Sequence, residues 1–483
     1  MYDNLIAGVP TDLWIGGEWK KASDGSRFDV IDPATEAVIT NVASGTVEDA
    51  KAAVEAAAAA GAEWAARKPR ERGEILRRAF ELFTAQSERF AKLITLENGK
   101  AMPDSRGEVA YAAEFFRWFA EEGVRNLGQL YNAPSSGARI MVQHRPAGVA
   151  CLVTPWNYPA AMATRKIAPA LAAGCTVVLK PASETPLTML ALMPLLAEAG
   201  VPAGVVNVVP SRRSGAVVSA MLHDMRVRVV SFTGSTEVGV KLLREAADNV
   251  VRPAMELGGN APFLVFEDAD IDAAVEGAMI AKMRNQGEAC TAANRFYVHE
   301  AVHDAFAAKL TEKMAALKMG NGLDESVALG PLVNADTRDK VQELVDDAVA
   351  KGARVTVGGT RPDGKGFFYP ATVLTHISDD AKLLREEIFG PVAALKTFKT
   401  EDEAIRAANA TEYGLAAYLY TKDLSRGLRV SEKLDFGMIG LNRGLMSDPA
   451  APFGGMKQSG LGREGAHEGL MEFLETQYVS VNW

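Results

Sequence analysis

The chain predicts an α/β protein of two lobes laid down in succession, and three observations predict it. From about residue 149 onward, short apolar runs alternate with amphipathic stretches. That alternation is the pattern of strands buried on both faces of a parallel sheet, joined by crossover helices. At 483 residues the chain exceeds what a single core usually serves, so two or three domains are expected. Hydrophobic residues at 48% and charged residues at 23% describe a globular protein able to bury large cores.

Taken in order, the first forty residues read as short strands and turns, with "LWIGGEW" a hairpin about Gly16 and Gly17. Helices then dominate from Val47 to Glu122, the first opened by Thr46 with Asp49 three residues on, a capping-box start. The runs "VACLVTP", "CTVVLKP", "VVNVVP" and "VRVVSFTG" supply the first set of buried strands. A second set follows in "APFLVFEDA", "RFYVH", "ARVTVGG", "AALKTF", "LAAYLYT" and "GMIGLN". Two segments fit neither lobe: "GARIMVQHRPAG" and the terminal "FLETQYVSVNW" alternate like half-exposed strands and are expected to pair into a small sheet used for assembly.

Charge and cysteine usage narrow the function classes. A formal charge of -9 argues against nucleic acid or an anionic membrane as the main partner. Cys151, Cys175 and Cys290 are scattered, with no CxxC pair, so neither a disulfide framework nor a thiolate metal site is suggested. The first residues lack the order of a signal peptide, and the Ala-rich run after Lys51 carries Glu55 and Glu63, which suits a packed helix and not a membrane span. A soluble cytoplasmic protein is expected.

Five stretches carry candidate chemistry. In "MRNQGEACTAANRF", Cys290 stands among small and polar residues, unlike a structural core cysteine. "FTGSTEVG" (232–239) joins a strand to a helix; it is either a backbone cradle for phosphate or plain turn punctuation. Lys180 ends "CTVVLK", at the sheet edge where nucleotides collect, though a solvated surface lysine reads the same. Glu256 in "AMELGGN" is either a general base or a strand-end cap. Asn157 in "TPWNYP" is either an oxyanion donor or a turn former. A sixth stretch, "HEAVH" (299–303), matches the zinc-protease pattern HExxH. That chemistry needs both histidines on one helix, whereas "RFYV" before His299 reads as a strand, so no metal site is expected.

Together, "TPWNYP", "VLKPASETP", "FTGST", "MELGGNAP", "NQGEAC", "EEIFGP" and "PFGGMKQSGLGRE" resemble the aldehyde dehydrogenase family, in its order and over essentially the whole chain. The resemblance implies a Rossmann-like cofactor domain (1–123 and 147–257), an α/β catalytic domain (258–453) and a small oligomerisation sheet (124–146 and 464–483) in a homodimer or homotetramer. It implies Cys290 as nucleophile, Asn157 as oxyanion donor and Glu256 as the base that activates the hydrolytic water. NAD or NADP would be met by Thr154, Pro155, Trp156, Lys180, Ser183, Gly234, Ser235, Glu387 and Phe389. Glu464 matches a position linked to proton relay in parts of the family, and Arg252, Arg463 and Glu475 are expected to form an ion cluster near the assembly surface.

Within the family, "AMATRKIAPALAAGCTVVLKPASETP", "AKMRNQGEAC" and "GLMSDPAAPFGG" are most similar to the succinate-semialdehyde dehydrogenases. That likeness implies a substrate carboxylate held by Arg165, Arg284 and Ser447; in isolation the two arginines read as ordinary helix-surface residues. Glutarate semialdehyde, 2-oxoglutarate semialdehyde or a broader set of aldehydes would suit the same chemistry. The third residue after the ribose lysine, commonly glutamate in NAD-preferring relatives, is Ser183 here, so NADP is expected to serve at least as well as NAD, with Glu184 next door as the opposing charge. In one place the chain departs from the subgroup. Many of its members carry a second cysteine two residues after the nucleophile; here that residue is Ala292.

Overall fold

The computed structural model describes residues 2–482. Met1 and Trp483, the outermost residues of the terminal segments read above, lie outside the described residues. The hairpin forms as expected: Leu13–Ile15 pairs antiparallel with Glu18–Lys20. Gly16 and Gly17, at φ +68° and +83°, supply the two left-handed residues of a tight two-residue turn. Thr46 caps the helix Val47–Ala66, accepting from Asp49 N at 3.3 Å while the Asp49 carboxylate accepts from Thr46 N at 2.9 Å.

Two mainly parallel sheets carry the molecule. The first runs, edge to edge, Glu18–Lys20, Leu13–Ile15, Val206–Val208, Thr176–Lys180, Val149–Val153, Val227–Thr233, Arg252–Glu256 and Gly460–Leu461. Its neighbouring residues split between two cores, as period-2 side chains on a doubly covered sheet must. Leu152 and Leu179 pack with Leu76, Phe83 and Phe116 on one face. Cys151, Val153 and Val178 pack with Val54 and Leu242 on the other. From Val149–Val153 the chain first builds outward one way, then returns to add Val227–Thr233 on the opposite side. That reversal opens a crevice at the carboxyl ends of these two strands.

The second sheet runs Arg354–Val357, Thr372–Thr375, Val392–Phe398, Ala293–His299, Ala261–Val265, Ala416–Tyr420 and Met438–Leu441, with only its first pairing antiparallel. A third, antiparallel sheet joins Gln129–Asn132, Arg139–Pro146 and Leu474–Val481, the two odd segments read from the sequence plus one short strand that follows the helix Met102–Glu122. It leaves Leu130 (60%) and Tyr478 (68%) exposed, side chains that an isolated sheet would rather bury.

The segment 453–464 edges the first large sheet and forms a separate two-stranded ladder with the residues just before Ala416–Tyr420 of the second. Met456–Lys457 pairs with Tyr413–Gly414, and Gly460–Leu461 pairs antiparallel with Met255 and Glu256. This crossing carries Glu464 from the far end of the chain to the carboxyl end of Arg252–Glu256.

Candidate active site

Cys290 sits on the loop between the helix Ile271–Met283 and the strand Ala293–His299. The loop is bent through Asn285, Gln286 and Gly287, all left-handed at φ 52°, 52° and 77°. Glutamine is uncommon there and costs about 1–2 kcal/mol, so neighbouring contacts must hold the bend. Gln286 Nε2 donates to Pro331 O at 2.9 Å, and Asn285 Nδ2 donates to Asn157 O at 2.8 Å and Glu288 O at 2.9 Å. Gly259 lies beneath the thiol's own backbone, where an added Cβ would come within 2.6 Å of Cys290 O.

Asn157 follows the strand Val149–Val153, and its amide is fixed by a bond from Nδ2 to Glu288 O at 3.1 Å. Its carbonyl also accepts Lys100 Nζ at 2.7 Å. Lys100 in turn pairs with Glu108, both side chains wholly buried. Glu108 accepts the N–H groups of Ala160 and Ala161 at 2.8 and 3.3 Å, so this carboxylate sits at the positive end of the helix Ala161–Ala173. An amide held this firmly is not the loose turn former of the alternative reading.

Cys290 lines two cavities. The first, about 350 Å³, occupies the crevice where the strand order reverses. Trp156 and Phe389 form its aromatic wall, their rings edge to face at 5.4 Å. Gly234 and Ser235 form its floor at the start of the helix Thr236–Asp248, which Ser235 caps. Thr154 and Pro155 continue the strand end beside Trp156, and Glu387 closes the cavity, held by Gly259 N at 3.2 Å. Burial pushes the Glu387 carboxyl up to about 7. Farther out, a cavity of about 310 Å³ is lined by Ser183, Glu184 and Arg212, and Ser183 Oγ donates to Glu184 at 3.2 Å. Lys180 nearby is only 5% exposed, and burial lowers its amine to about 8, so it is not a solvated surface lysine. Helix-start N–H groups, aromatic walls, an acid and a buried lysine along one crevice fit a nicotinamide dinucleotide.

The second cavity, about 200 Å³, approaches Cys290 from the other side and brings together Arg165, Arg284, Ser447, Tyr111, Tyr158 and Phe453. The hydroxyls of Tyr111 and Tyr158 are buried with no hydrogen-bond partner. Arg284 makes no salt bridge among the described residues and lies over the Tyr158 ring at 5.7 Å. Arg165 is different. The sequence read it as a helix-surface arginine, yet its side chain is 1% exposed and already ion-paired with Glu464. The whole of Ala161–Ala173 is buried, so no face of that helix is a surface.

Glu256 ends its strand 2% exposed, with neither carboxyl oxygen hydrogen-bonded. It is therefore not a strand-end cap. Burial, reinforced by the charge of Glu464, holds it well above the usual carboxylate range. The Gly454 backbone crowds it so closely that a Cβ there would lie 2.8 Å from Oε1. Glu464 is buried too, but Arg165 and Lys166 outweigh that burial and keep it below its ordinary value. Cys290 itself is pushed up to about 12, mainly by burial.

One expectation changes. Arg252 pairs with Glu475 at 2.5 Å, but Arg463 stands apart from them, giving its guanidinium to the carbonyls of Gly455 and Gly462 and its N–H to Glu472. There is a pair, not a cluster of three. In "HEAVH", His299 ends a strand and binds Lys399 O, whereas His303 begins a helix, so the two histidines do not share the helix face that zinc-protease chemistry requires.

Residues 19–479 match the model of the aldehyde dehydrogenase family. The chain belongs to that family. It is 56% identical to a succinate-semialdehyde dehydrogenase of Paenarthrobacter nicotinovorans, over 92% of this chain and 99% of that one. It is 48% identical to a glutarate-semialdehyde dehydrogenase of Pseudomonas putida, over 97% of each. The crystal structure of an E. coli NADP-dependent enzyme superposes with a TM-score of 0.97 at 46% identity, covering 100% of this chain and 99% of that one.

Sequence reasoning missed Lys100, Glu108, Lys166 and Arg212 in this aldehyde dehydrogenase. One signal was available. Adjacent cations in the otherwise apolar "AMATRKIAPALAA" must find an anion once that helix is buried, and Glu464 is that anion. Nothing in the local sequence marks Lys100 or Arg212.

Proposed function

We propose that this aldehyde dehydrogenase oxidises a short aldehyde bearing a distal carboxylate, succinic semialdehyde foremost, to the dicarboxylic acid. The observation that carries the reading is the Cys290 cavity lined by Arg284, Arg165 and Ser447, with two buried tyrosine hydroxyls lacking acceptors. The cavity's own acids, Asp104 and Glu108, already accept from Asn285 N and from Lys100, Ala160 N and Ala161 N, so an acceptor-only carboxylate answers the donors that remain, and the guanidinium fork suits it geometrically. The named activities of the similar chains support the same substrate class.

In this reading Cys290 Sγ attacks the aldehyde carbon, and its proton passes to Glu256, whose raised pKa suits it to hold one. The oxyanion is held by the Asn157 amide and the Cys290 N–H. A nicotinamide cofactor, bound through Thr154 to Trp156, Lys180, Ser183, Gly234, Ser235, Glu387 and Phe389, supplies the hydride acceptor. After passing that proton to solvent, Glu256 takes another from water, and the hydroxide formed adds to the thioester carbon and breaks its C–S bond, releasing the acid and the Cys290 thiolate, which takes up a proton to restore the thiol. NADP serves at least as well as NAD, because Ser183 adds no negative charge and Lys180 and Arg212 add positive ones. The Ser183 bond engages the neighbouring Glu184 carboxylate, although Asp29, Glu97 and Asp336 also line that cavity.

The first sheet and its helices, residues 1–123 and 147–257, make the cofactor domain, and 258–453 the catalytic domain. The small sheet of 124–146 and 464–483 joins copies of the chain into a dimer or tetramer, which would cover its exposed Leu130 and Tyr478. A second reading, glutarate semialdehyde, is favoured by the 48% identity to the Pseudomonas putida enzyme. The test is a panel of succinic semialdehyde, glutaric semialdehyde, 2-oxoglutarate semialdehyde and butanal with each cofactor, following absorbance of the reduced nicotinamide. The highest kcat/KM is expected for succinic semialdehyde with NADP, and a preference for butanal would overturn the assignment.

A further inference from the structure

Arg165 faces two ways. Its Nε meets Glu464, while the terminal nitrogens reach past that carboxylate, Nη2 donating to the Met162 thioether at 3.2 Å. A thioether is a weak acceptor for a charged donor, so the terminal nitrogens keep most of their bonding capacity. The plane of the fork lies over the Phe453 ring, with Cζ 4.1 Å from its centroid, which removes a further degree of freedom. Glu464 is itself immobilised, because its second oxygen is taken by Lys166, which also bonds Ser231 at 3.1 Å and Thr233 at 2.7 Å. Strand ends of the first sheet therefore fix Glu464, and Glu464 fixes Arg165.

Resting on the acid-aldehyde reading above, we propose that Glu464 is a positioning residue for substrate selection: it grips Arg165 by the Nε side and so aims the terminal nitrogens of the fork into the substrate cavity. Without that grip only the Phe453 ring and the Met162 thioether hold the guanidinium, neither of which fixes its rotation in the ring plane, and one of the two charged anchors of the substrate carboxylate loses its aim. The role is separate from anything Glu464 does for Glu256, because it acts on binding of the acid end and not on proton movement at the thioester.

The experiment measures kcat and KM for succinic semialdehyde, glutaric semialdehyde and butanal in the wild type, Glu464→Gln and Glu464→Asp, with NADP binding as the control for folding. Glu464→Gln removes the ionic grip, and the kcat/KM ratio of either acid aldehyde to butanal should fall tenfold or more, the change lying in KM. Glu464→Asp keeps the charge but draws it back by one methylene, and should lower the same ratio by three- to tenfold; it carries the test if the glutamine variant does not fold. Equal losses on all three aldehydes, or losses confined to kcat, would show that Glu464 serves only proton movement or general structure, and would overturn the proposal. A wild-type enzyme without preference for either acid aldehyde would overturn the substrate reading, and this role with it. A wild type that prefers them, with variants that keep the preference, would overturn the role of Glu464 alone.

Discussion

The two cavities that meet at Cys290 are built on different principles. The cofactor crevice is made from strand ends and a helix start, so backbone groups and small residues such as Gly234, Ser235 and Gly258 form much of its surface. The substrate cavity is made from side chains, with Arg165, Arg284, Tyr111 and Tyr158 reaching in from three separate parts of the chain. A crevice of the first kind follows from sheet topology and tolerates local change. One of the second kind depends on each side chain being held by neighbours, and the two arginines show how differently that is done: Arg165 is already paired, whereas Arg284 has no salt bridge among the described residues.

The sharpest break in the comparison is at the point the cavities share. Cys290→Ser should lower turnover by about a thousandfold or more while leaving NADP binding near wild type, since serine is close in size but a far weaker nucleophile at neutral pH. Appreciable steady-state activity in a clean preparation would remove Cys290 from its role. Glu256→Gln should cost about 10²–10⁴ in kcat. If its main work is hydrolysis of the thioester, rapid mixing should still show one equivalent of reduced cofactor in a burst.

On the substrate side, Arg284→Ala should reduce kcat/KM for succinic semialdehyde by roughly 10- to 150-fold, the loss of one charged hydrogen-bonding partner worth about 1.5–3 kcal/mol, and far less for butanal. Arg165→Ala should behave differently. It leaves Glu464 with only Lys166 of its two cations beside Glu256, so butanal turnover should fall as well. Matching substrate profiles for the two variants would erase the distinction between the paired and the unpaired arginine.

On the cofactor side a smaller change is expected. Ser183→Glu should shift the NADP-to-NAD ratio of kcat/KM toward NAD by about tenfold, roughly 1.4 kcal/mol, by setting a carboxylate against the 2′-phosphate. No shift would mean that Glu184 and Arg212 already decide the preference. The mildest probe is chemical. Because burial holds the Cys290 thiol at about 12, its alkylation by iodoacetamide should keep rising as pH increases beyond 9, where an exposed thiol has levelled off. A plateau near pH 8 would show that Arg165 and Arg284 stabilise the thiolate enough to outweigh burial.

Local pattern carried much of the architecture. The Gly16–Gly17 hairpin, the Thr46–Asp49 cap, the alternating buried strands and the two half-exposed segments each declare themselves over a few residues, because turn chemistry, capping and period-2 burial act over that range. The strand-end motifs "TPWNYP" and "FTGST" also lie next to each other for a local reason: both end neighbouring parallel strands. The Arg165 environment could not be read this way. Its burial depends on a helix covered on every side, and its partner Glu464 arrives from 299 positions along the chain only because Gly460–Leu461 pairs with the end of Arg252–Glu256. The same crossing decides the charge felt by Glu256. Sequence alone determined which elements form and which residues have the chemistry for oxidation of an aldehyde. Tertiary structure alone decided which charges face one another out of water, where ion pairing and desolvation are strong enough to set the state of Glu256, Glu464 and Arg165.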